Sequence, residues 1–213
     1  MSEALTALAR QVTGGRCQVA TVPVALGDPG ALLGNEAEAI AGAVPARQRE
    51  FAAGRMAARM AMGQALALPM GPDRAPIWPA GWSGSITHAG PWAVAAALRG
   101  QGLVGLDMEP DEDLPAEILD TVLTPVERSV LRDLRQARRI FAIKEAAYKA
   151  QYPLSGQIFG FEVFEVRLGG AGFAAVFQQD IGPFRRGEAL IGLAGVADGF
   201  VMAGIVRQES GRG

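Results

Sequence analysis

Residues 103–109 read LVGLDME, an apolar run that ends in two carboxylates just before a proline. In an extended strand, residues two apart point to the same face, so Asp107 and Glu109 would project together. Neighbouring carboxylates repel each other unless a cation or strong hydrogen-bond donors lie between them, and such oxygen pairs suit Mg²⁺. The run therefore predicts a strand whose end is either a metal site or an ordinary solvent-exposed strand end.

The composition is that of a globular chain with little net charge. Of the 213 residues, 49% are hydrophobic and 20% are charged, and 20 Lys+Arg against 22 Asp+Glu give a net charge of −2. A charge this small provides no general attraction for nucleic acid or for an anionic membrane. We therefore expect no nucleic-acid partner, and any anion-binding site must be local.

The cysteine count and the hydropathy pattern indicate a cytoplasmic protein. Cys17 is the single cysteine, so no intrachain disulfide can form, as is usual in a reducing compartment. The start of the chain lacks the basic and apolar regions of a signal peptide, and no run reaches the roughly 18–20 apolar residues of a membrane span. We expect a cytoplasmic location without a membrane span.

The first half of the chain predicts a long helix followed by strands. Residues 45–68 are rich in Ala, Met, Arg and Gln and predict a helix that ends at the proline after them, whereas residues 92–99 predict a buried strand. A GQG turn should return residues 104–109 beside residues 92–99 as an antiparallel partner. That pairing would bring the two carboxylates close to the SITHAG stretch at residues 85–90.

The second half predicts further helix and then strands. TPVE at residues 124–127 has the pattern of a capping box, and helical character through residues 138–152 should stop at Pro153. An Asp198-Gly199 pair suits a tight hairpin turn. The strand-like runs are residues 161–168, 173–178, 189–196 and 200–206. Helices together with antiparallel strands predict an α+β protein with a midpoint near residue 101.

The stretch FAIKEAAYKA at residues 141–150 adds a third acidic group. On a helix, Glu145 and Lys149 are four residues apart and share a face, while Lys144 and Tyr148 form the adjacent column. Taken alone, this spacing predicts a solvated ion pair on an amphipathic helix. Together with the paired carboxylates it also matches phosphoryl transfer, which requires metal-binding carboxylates, cationic side chains and a base for the attacking hydroxyl.

Hydroxyl, imidazole and guanidinium groups complete the set of candidate phosphate ligands. His88, the only histidine, lies beside Ser85 and Thr87, whose hydroxyls suit either phosphate oxygens or the capping of a turn. Arg74 precedes this stretch in a loop. Four further arginines occur along the first predicted helix: Arg47, Arg49, Arg55 and Arg59. They form either a solvated helix face or a set of guanidinium groups for terminal phosphates.

Four stretches in this order resemble the 4′-phosphopantetheinyl transferases. They are REFAAGRMAAR at 49–59, WSGSITHAG at 82–90, VGLDMEP at 104–110 and FAIKEAAYKA at 141–150. The resemblance is closest to the short enterobactin-synthesis (siderophore) branch, which is related to the surfactin-type enzymes. It implies transfer of the 4′-phosphopantetheine arm of coenzyme A to a serine of an apo carrier protein, with Mg²⁺ dependence and release of 3′,5′-ADP.

The resemblance also implies a fold, a pseudo-dimer of two similar α+β halves with the active site between them. Residues 1–101 would form the half with the coenzyme A-binding arginines and the SITH motif. Residues 102–213 would form the half with the metal-binding carboxylates and the KEAAYK helix. One chain would complete the cleft, so we expect a monomer, and the role of the first 45 residues stays open.

The site residues follow from the resemblance by position. Asp107, Glu109 and Glu145 match the Mg²⁺ carboxylates, with Mn²⁺ as the alternative that oxygen ligands also accept. Glu145 further matches the general base for the carrier serine, and Lys149 matches the lysine on the transferred phosphate. The implied catalytic residues are Asp107, His88, Glu145 and Lys149. The implied coenzyme A ligands are Arg55, Arg74, Thr87, His88, Lys144 and Lys149.

The carrier and its pathway stay open. A peptidyl, aryl or acyl carrier domain would suit, from siderophore or other nonribosomal peptide synthesis, polyketide synthesis or fatty acid synthesis. Such carriers are acidic, and a basic stretch at residues 132–139 would either meet the carrier or form a solvated helix face. Two alternatives belong to other classes: a non-catalytic module that binds coenzyme A or a carrier, and a Mg²⁺-dependent nucleotide phosphodiesterase.

Overall fold

Two antiparallel sheets, each covered by one long helix, make up the part of the protein that the computed structural model describes, residues 2–208. The predicted α+β class is confirmed. The outermost positions of the two predicted halves, residue 1 and residues 209–213, lie outside the described residues. None of the helices in residues 2–208 is long and apolar enough to cross a bilayer.

The elements run in the following order along the described chain. The helices are α1 (Glu3–Val12), α2 (Pro45–Met62), α3 (Leu119–Val122), α4 (Pro125–Ser129) and α5 (Leu134–Ser155). The strands are β1 (Gln18–Pro23), β2 (Trp82–Ala89), β3 (Trp92–Arg99), β4 (Gly102–Pro110), β5 (Phe164–Gly169), β6 (Gly172–Phe177), β7 (Ala189–Ala197) and β8 (Phe200–Gln208). The first sheet has the order β1-β3-β2, and the second has the order β4-β8-β7-β6-β5.

Helix α2 ends earlier than the composition predicted. Residues 45–68 were expected to be helical up to Pro69, but the helix stops at Met62. Gly63 has a φ of 64°, a left-handed conformation that glycine adopts without steric cost, and its N–H bonds to helix carbonyls. The glycine therefore ends the helix, and the alanine-rich face of α2 packs on β1 and β3.

Helices α4 and α5 are separate, although the predicted capping box is present. The Thr124 hydroxyl accepts from the Glu127 N–H at 3.2 Å, and the Glu127 carboxylate accepts from the Thr124 N–H at 2.7 Å. Asp133 then caps a new helix, α5, by accepting from Gln136 N at 2.7 Å. Pro153 lies in the last turn and was wrongly predicted to stop the helix, which continues to Ser155 because a proline there removes only one backbone hydrogen bond.

The predicted partner of β4 is wrong. Strand β3 already has β1 along one edge and β2 along the other, so it has no free edge for β4. Strand β4 instead pairs along its length with β8, from Gly102 opposite Gln208 to Pro110 opposite Phe200. The predicted Asp198-Gly199 hairpin turn is confirmed between β7 and β8, with φ of 50° and 76° at the two residues.

The SITHAG stretch nevertheless lies beside β4, as predicted, because two hydroxyl groups of β2 bond to it. Ser85 Oγ accepts from Leu106 N at 3.0 Å and donates to Leu106 O at 3.3 Å. Thr87 Oγ1 accepts from Met108 N at 3.2 Å. Side-chain hydroxyls thus replace a backbone ladder between the two sheets.

Helix α1, which carried no recognisable motif, fills the space over this junction. Its buried side chains Leu5, Leu8 and Val12 share one apolar cluster with residues of β3, β4 and β8. The close approach requires Gly204 on β8, because a Cβ there would lie 2.6 Å from the carbonyl oxygen of Val12. The first helix of the described chain is therefore part of the core of both halves.

Helix α5 packs directly on β4 at Gly105. A Cβ at Gly105 would lie 1.9 Å from the backbone oxygen of Ala146, a distance that no side chain can occupy. The glycine lets the helix approach the strand closely, and Glu145 and Lys149 lie on that helix beside the carboxylate end of β4. Gly105 thus sets how near the two charged groups come.

We predict that Gly105→Ala destabilises the protein by about 1–3 kcal/mol, the usual range for an overpacked site. Urea denaturation monitored by circular dichroism would measure the loss. Gly169→Ala is the matched control, because Gly169 also lies in a strand and a Cβ there would meet nothing within 4 Å. Equal stability of the two variants would contradict the close packing of α5 on β4.

Candidate functional site

A cleft of about 720 Å³ lies between α2, β2, the loop at residues 69–80 and the C-terminal half of α5. Its walls therefore come from the first sheet with its helix α2 and from helix α5, which covers the second sheet. Five of the residues predicted to bind coenzyme A line it: Arg55, Arg74, Thr87, His88 and Lys149. The cleft also contains two carboxylates that sequence reasoning did not select, Glu50 and Asp73.

Asp107 lies next to this cleft and is held from both sides. Its Oδ1 accepts from Lys149 Nζ of α5 at 2.6 Å and from Thr87 Oγ1 of β2 at 3.1 Å. Lys149 also donates to the carbonyl oxygen of Leu106 at 3.3 Å. The Asp107 side chain is only 6% exposed, so the charge-assisted bonds to it are poorly screened by water.

Glu109 and Glu145 extend the acidic group around Asp107. Burial, followed by the charge of Asp107, raises the pKa of Glu109 to about 7, although Arg138 contacts its carboxylate at 3.2 Å. Burial and the same Asp107 charge raise the pKa of Glu145. The three carboxyls thus repel each other, as expected for groups that share one site.

The residues present fit a divalent cation, although no cluster of three or more His, Cys, Asp or Glu side chains in residues 2–208 is arranged as a ready metal site. The second carboxylate oxygen of Asp107, Oδ2, is buried and has no hydrogen-bond partner among the described residues. A buried unpaired oxygen is costly, and a cation would satisfy it. The same cation would reverse the repulsion that raises the pKa of Glu109 and Glu145.

We predict that Glu109→Gln stabilises the metal-free protein at high pH. Because the folded-state pKa is raised from 4.5 to about 7, stability from protonated Glu109 is present below pH 4.5 and is lost as the pH rises through 7. In EDTA the free energy of unfolding of the variant should be higher than that of the parent by on the order of 2 kcal/mol at about pH 8. The two free energies should be equal near pH 4.

Urea denaturation across this pH range would measure the difference. Asp111→Asn is the control, because the Asp111 carboxylate pairs with Arg135 at 3.6 Å and accepts no contact from Lys149 or Thr87 in the described structure. A parent protein that is at least as stable as Glu109→Gln at about pH 8 would contradict the repulsion among the three carboxyls.

The arginines of α2 divide into different roles. Arg55 is buried in the cleft wall, where Nε donates to the Leu68 carbonyl at 2.7 Å and the guanidinium lies 4.1 Å from the Phe51 ring centre. Burial lowers its pKa to about 10, so it remains charged at neutral pH. Arg59 instead bonds to both oxygens of the buried Glu36, at 2.9 and 3.0 Å. Arg55 thus faces the cleft, whereas Arg59 stabilises the loop before α2 through its bonds to Glu36.

His88 belongs to a cluster with two α2 residues. Its Nε2 lies 3.2 Å from Glu50 Oε2 and 3.0 Å from Arg47 Nη1, and Arg47 Nη1 lies 3.1 Å from the same Glu50 oxygen. Burial is the main cause that lowers the pKa of His88. Glu50 was missed because a lone glutamate three residues after Arg47 also predicts a solvated helix pair.

Lys144 does not reach this cleft. Its side chain is 1% exposed, and Nζ donates to Val122 O at 2.8 Å, Glu127 Oε2 at 2.7 Å and Phe161 O at 3.1 Å. These three bonds use all the donors of an ammonium group. The geometry gives Lys144 a structural role inside the second half, and we do not include it among the proposed coenzyme A ligands.

We predict that Lys144→Met costs about 3–5 kcal/mol of stability, because it leaves the Glu127 carboxylate buried without its cation. The double variant Lys144→Met/Glu127→Gln should recover much of this loss. Denaturant unfolding would measure stability, and calorimetric titration would show an unchanged affinity for coenzyme A in the double variant. A Lys144→Met protein that keeps its stability but binds coenzyme A more weakly would instead support the contact expected from the sequence.

The basic stretch at residues 132–139 is split between interior and surface. The Arg138 side chain is 15% exposed, and besides Glu109 it contacts the carbonyl oxygen of Asp113 at 3.2 Å. The Arg135 side chain is 63% exposed, although it contacts Asp111 at 3.6 Å. Arg138 therefore belongs to the acidic site, and Arg135 remains available on the surface.

Two family models together match most of this chain. The model described as "4'-phosphopantetheinyl transferase N-terminal domain" matches residues 35–98, and the model described as "4'-phosphopantetheinyl transferase superfamily" matches residues 103–200. The first match includes α2, β2 and most of β3, the second includes α5 and most of β4 through β7, and the two flank the turn between β3 and β4.

Similar proteins carry the same description. The chain is 34% identical over 192 residues to the 4'-phosphopantetheinyl transferase Npt of Nocardia iowensis, across 80% of this chain and 86% of Npt. It is 39% identical over 156 residues to the 4'-phosphopantetheinyl transferase Svp of Streptomyces mobaraensis, across 66% of this chain and 63% of Svp. It is 35% identical over 114 residues to enterobactin synthase component D of Escherichia coli (strain K12), across 49% of this chain and 54% of that protein.

The α+β fold places cationic side chains in a cleft beside Asp107, Glu109 and Glu145, a combination that suits an enzyme of phosphoryl chemistry. With the matches above, the chain belongs to the 4′-phosphopantetheinyl transferase superfamily and is a transferase. The resemblance predicted from the four motifs is confirmed, including the likeness to the enterobactin-synthesis branch.

Proposed function

We propose that this protein transfers the 4′-phosphopantetheine arm of coenzyme A to a serine hydroxyl of an apo carrier protein. The observation that carries the proposal is the position of one cleft, lined by cationic groups of α2, α5 and the loop at residues 69–80, beside three carboxyls whose charges interact. A polyanionic diphosphate requires the first feature, and activation of a serine with charge neutralisation requires the second.

The cleft charge favours coenzyme A. Its walls carry four cationic side chains, Arg47, Arg55, Arg74 and Lys149, and two carboxylates, Glu50 and Asp73. In this proposal Arg55 and Arg74 bind the 3′-phosphate and the diphosphate, because guanidinium groups form paired bonds to phosphate oxygens. Thr87 and His88 lie on the same strand. His88 would contact the phosphates next to the acidic site, whereas the single hydroxyl proton of Thr87 is donated to Asp107 Oδ1 at 3.1 Å, so Thr87 would hold that carboxylate in place.

In the proposed reaction the serine oxygen attacks the phosphorus that carries the pantetheine arm. The new phosphorus–oxygen bond forms while the bond to the second phosphate breaks, and 3′,5′-ADP leaves with the electron pair. Glu145, which the resemblance matches to the general base, accepts the serine proton. Lys149, which already neutralises Asp107 at 2.6 Å, would stabilise the negative charge on the transferred phosphate.

Asp107, Glu109 and Glu145 would hold the metal ion. When bound, Mg²⁺ supplies neutralisation of the diphosphate charge, and Mn²⁺ is the alternative with similar oxygen ligands. The chain itself contributes the buried Asp107 oxygen, which has no hydrogen-bond partner within residues 2–208, together with two carboxyls whose charged form is disfavoured by burial and by the charge of Asp107.

We further propose the division into residues 1–101 and residues 102–213. It is supported by the sheet order, because β1 to β3 precede this boundary and β4 to β8 follow it. The cleft lies between the two parts, so a single chain would suffice and a monomer is expected. A cytoplasmic location and a peptidyl, aryl or acyl carrier as partner complete the proposal, with siderophore and other nonribosomal peptide synthesis as the pathway class.

The test is the intact mass of an apo peptidyl carrier protein after incubation with this enzyme, coenzyme A and Mg²⁺. We expect the carrier to gain one phosphopantetheine unit, with 3′,5′-ADP as the second product and no gain in EDTA. Asp107→Asn should reduce the rate by at least about a hundredfold, as expected for loss of a group that stabilises transition-state charge.

Asp111→Asn is the control variant, because Asp111 follows the same strand but pairs with Arg135 instead of Lys149. It should retain the parent rate. Coenzyme A binding without transfer to carriers of several types would favour a binding module. Release of 3′,5′-ADP from coenzyme A without any carrier would favour a phosphodiesterase, and either result would overturn the proposal.

A further inference from the structure

Glu50 is a carboxylate in the wall of a cleft whose other charged groups mostly suit an anion. It lies on α2 and is 31% exposed, and one of its oxygens, Oε2, contacts both His88 Nε2 at 3.2 Å and Arg47 Nη1 at 3.1 Å. A negative group beside a phosphate site weakens anion binding unless it improves the groups that bind the anion. The contacts of Glu50 indicate which anion-binding side chain it affects.

The geometry determines which atom of His88 carries a proton. If Nε2 accepted a hydrogen bond from Arg47 at 3.0 Å, its lone pair would face the Glu50 oxygen at 3.2 Å, and two acceptors would repel each other. If Nε2 carries the proton, Nε2–H and Arg47 Nη1 lie 3.0 Å apart as two donors, but both donate to the same negatively charged oxygen of Glu50, which offsets their repulsion. The second arrangement is the favourable one.

We propose that Glu50 is a positioning residue for His88: it accepts a hydrogen bond from Nε2–H, and it thereby leaves Nδ1 as the nitrogen that donates to a coenzyme A phosphate when both ring nitrogens are protonated. This inference rests on the proposed function of the cleft. Glu50 itself contacts no phosphate in this scheme. Glu50 sets the orientation and the proton position of His88, which does contact the phosphate. In other enzymes, a carboxylate that accepts a bond from one ring nitrogen orients a functional histidine in the same way.

Electrostatics give Glu50 a second effect on the same side chain. Burial, Arg47 on α2 and Lys149 on α5 lower the pKa of His88, whereas Glu50 on α2 raises it through its charge and its hydrogen bond. A phosphate accepts a bond from Nδ1–H most strongly when the imidazole is protonated on both nitrogens. Glu50 therefore opposes the three influences that would keep the ring neutral when the phosphate arrives.

The test uses the fact that His88 is the only histidine in the chain. Protein labelled with ¹⁵N-histidine gives one imidazole spin system, whose two nitrogen shifts report the protonated atom and, across pH, the pKa. In the parent we expect the proton of the neutral ring on Nε2. Glu50→Ala should move a large part of it to Nδ1, and Glu50→Gln, which keeps an acceptor without charge, should retain Nε2–H but lower the pKa.

Asp73→Asn is the matched control for charge. It removes one negative charge from the same cleft and keeps the oxygen that accepts from Ala75 N at 3.0 Å. The His88 spectrum should stay that of the parent in this variant. If Asp73→Asn changes the His88 titration as much as Glu50→Gln does, a general field acts on the histidine and the positioning role is wrong.

Calorimetric titration with coenzyme A separates this inference from the proposed function. Glu50→Ala should weaken coenzyme A binding by about three- to tenfold, the range for loss of one hydrogen-bonding contact, and should add nothing in a His88→Ala background. Failure of the parent protein to bind coenzyme A would overturn the proposed function. Parent-like affinity in Glu50→Ala, or an unchanged His88 spectrum in that variant, would overturn the inference alone.

Discussion

The hydroxyl groups of Ser85 and Thr87 hold the two sheets together at the point where the chemistry is expected. Each hydroxyl accepts from a backbone N–H of β4 and donates to an oxygen of β4, so both are satisfied without solvent. Within residues 2–208 the two sheets share no backbone ladder, so these bonds and the apolar cluster under α1 determine their relative position. A hydroxyl also adapts to a contact of irregular spacing, because its proton can rotate.

That junction explains why a buried carboxylate is tolerated at Asp107. The strand brings it under Thr87, Gly105 lets α5 approach, and Lys149 on α5 reaches the same oxygen. Removal of the lysine would leave a desolvated charge, which is far more costly than the pair is stabilising. The fold therefore supplies positive charge and donors to one oxygen of the carboxylate, and it leaves the other oxygen for a different ligand.

Two local patterns were predictable from the sequence, whereas the strand that pairs with β4 and the partner of Lys144 were not. The Thr124 capping box and the Asp198-Gly199 turn are local, and both are present. The partner of β4 depends on β8, about 100 residues away, so a short turn after β3 was a misleading guide. Likewise, a helical pattern cannot tell whether Lys144 faces solvent or Glu127, because the acidic partner lies on another helix. The residues of the acidic site were predictable because their motifs resemble a known family, whereas Glu50 was recognisable only through its contact with His88.

The packing of α1 has a consequence for the order in which the protein acquires its structure. Helix α1 precedes every strand of the described chain, but part of its apolar face meets β7 and β8, which follow all the other strands described. During translation that face can meet β1 and β3 early, whereas its contacts with β7 and β8 wait until residues 189–208 have emerged. Contacts between residues so far apart in sequence are slow to form, because a long loop must close first. Completion of the core should thus be a late event that couples the two ends of the described chain.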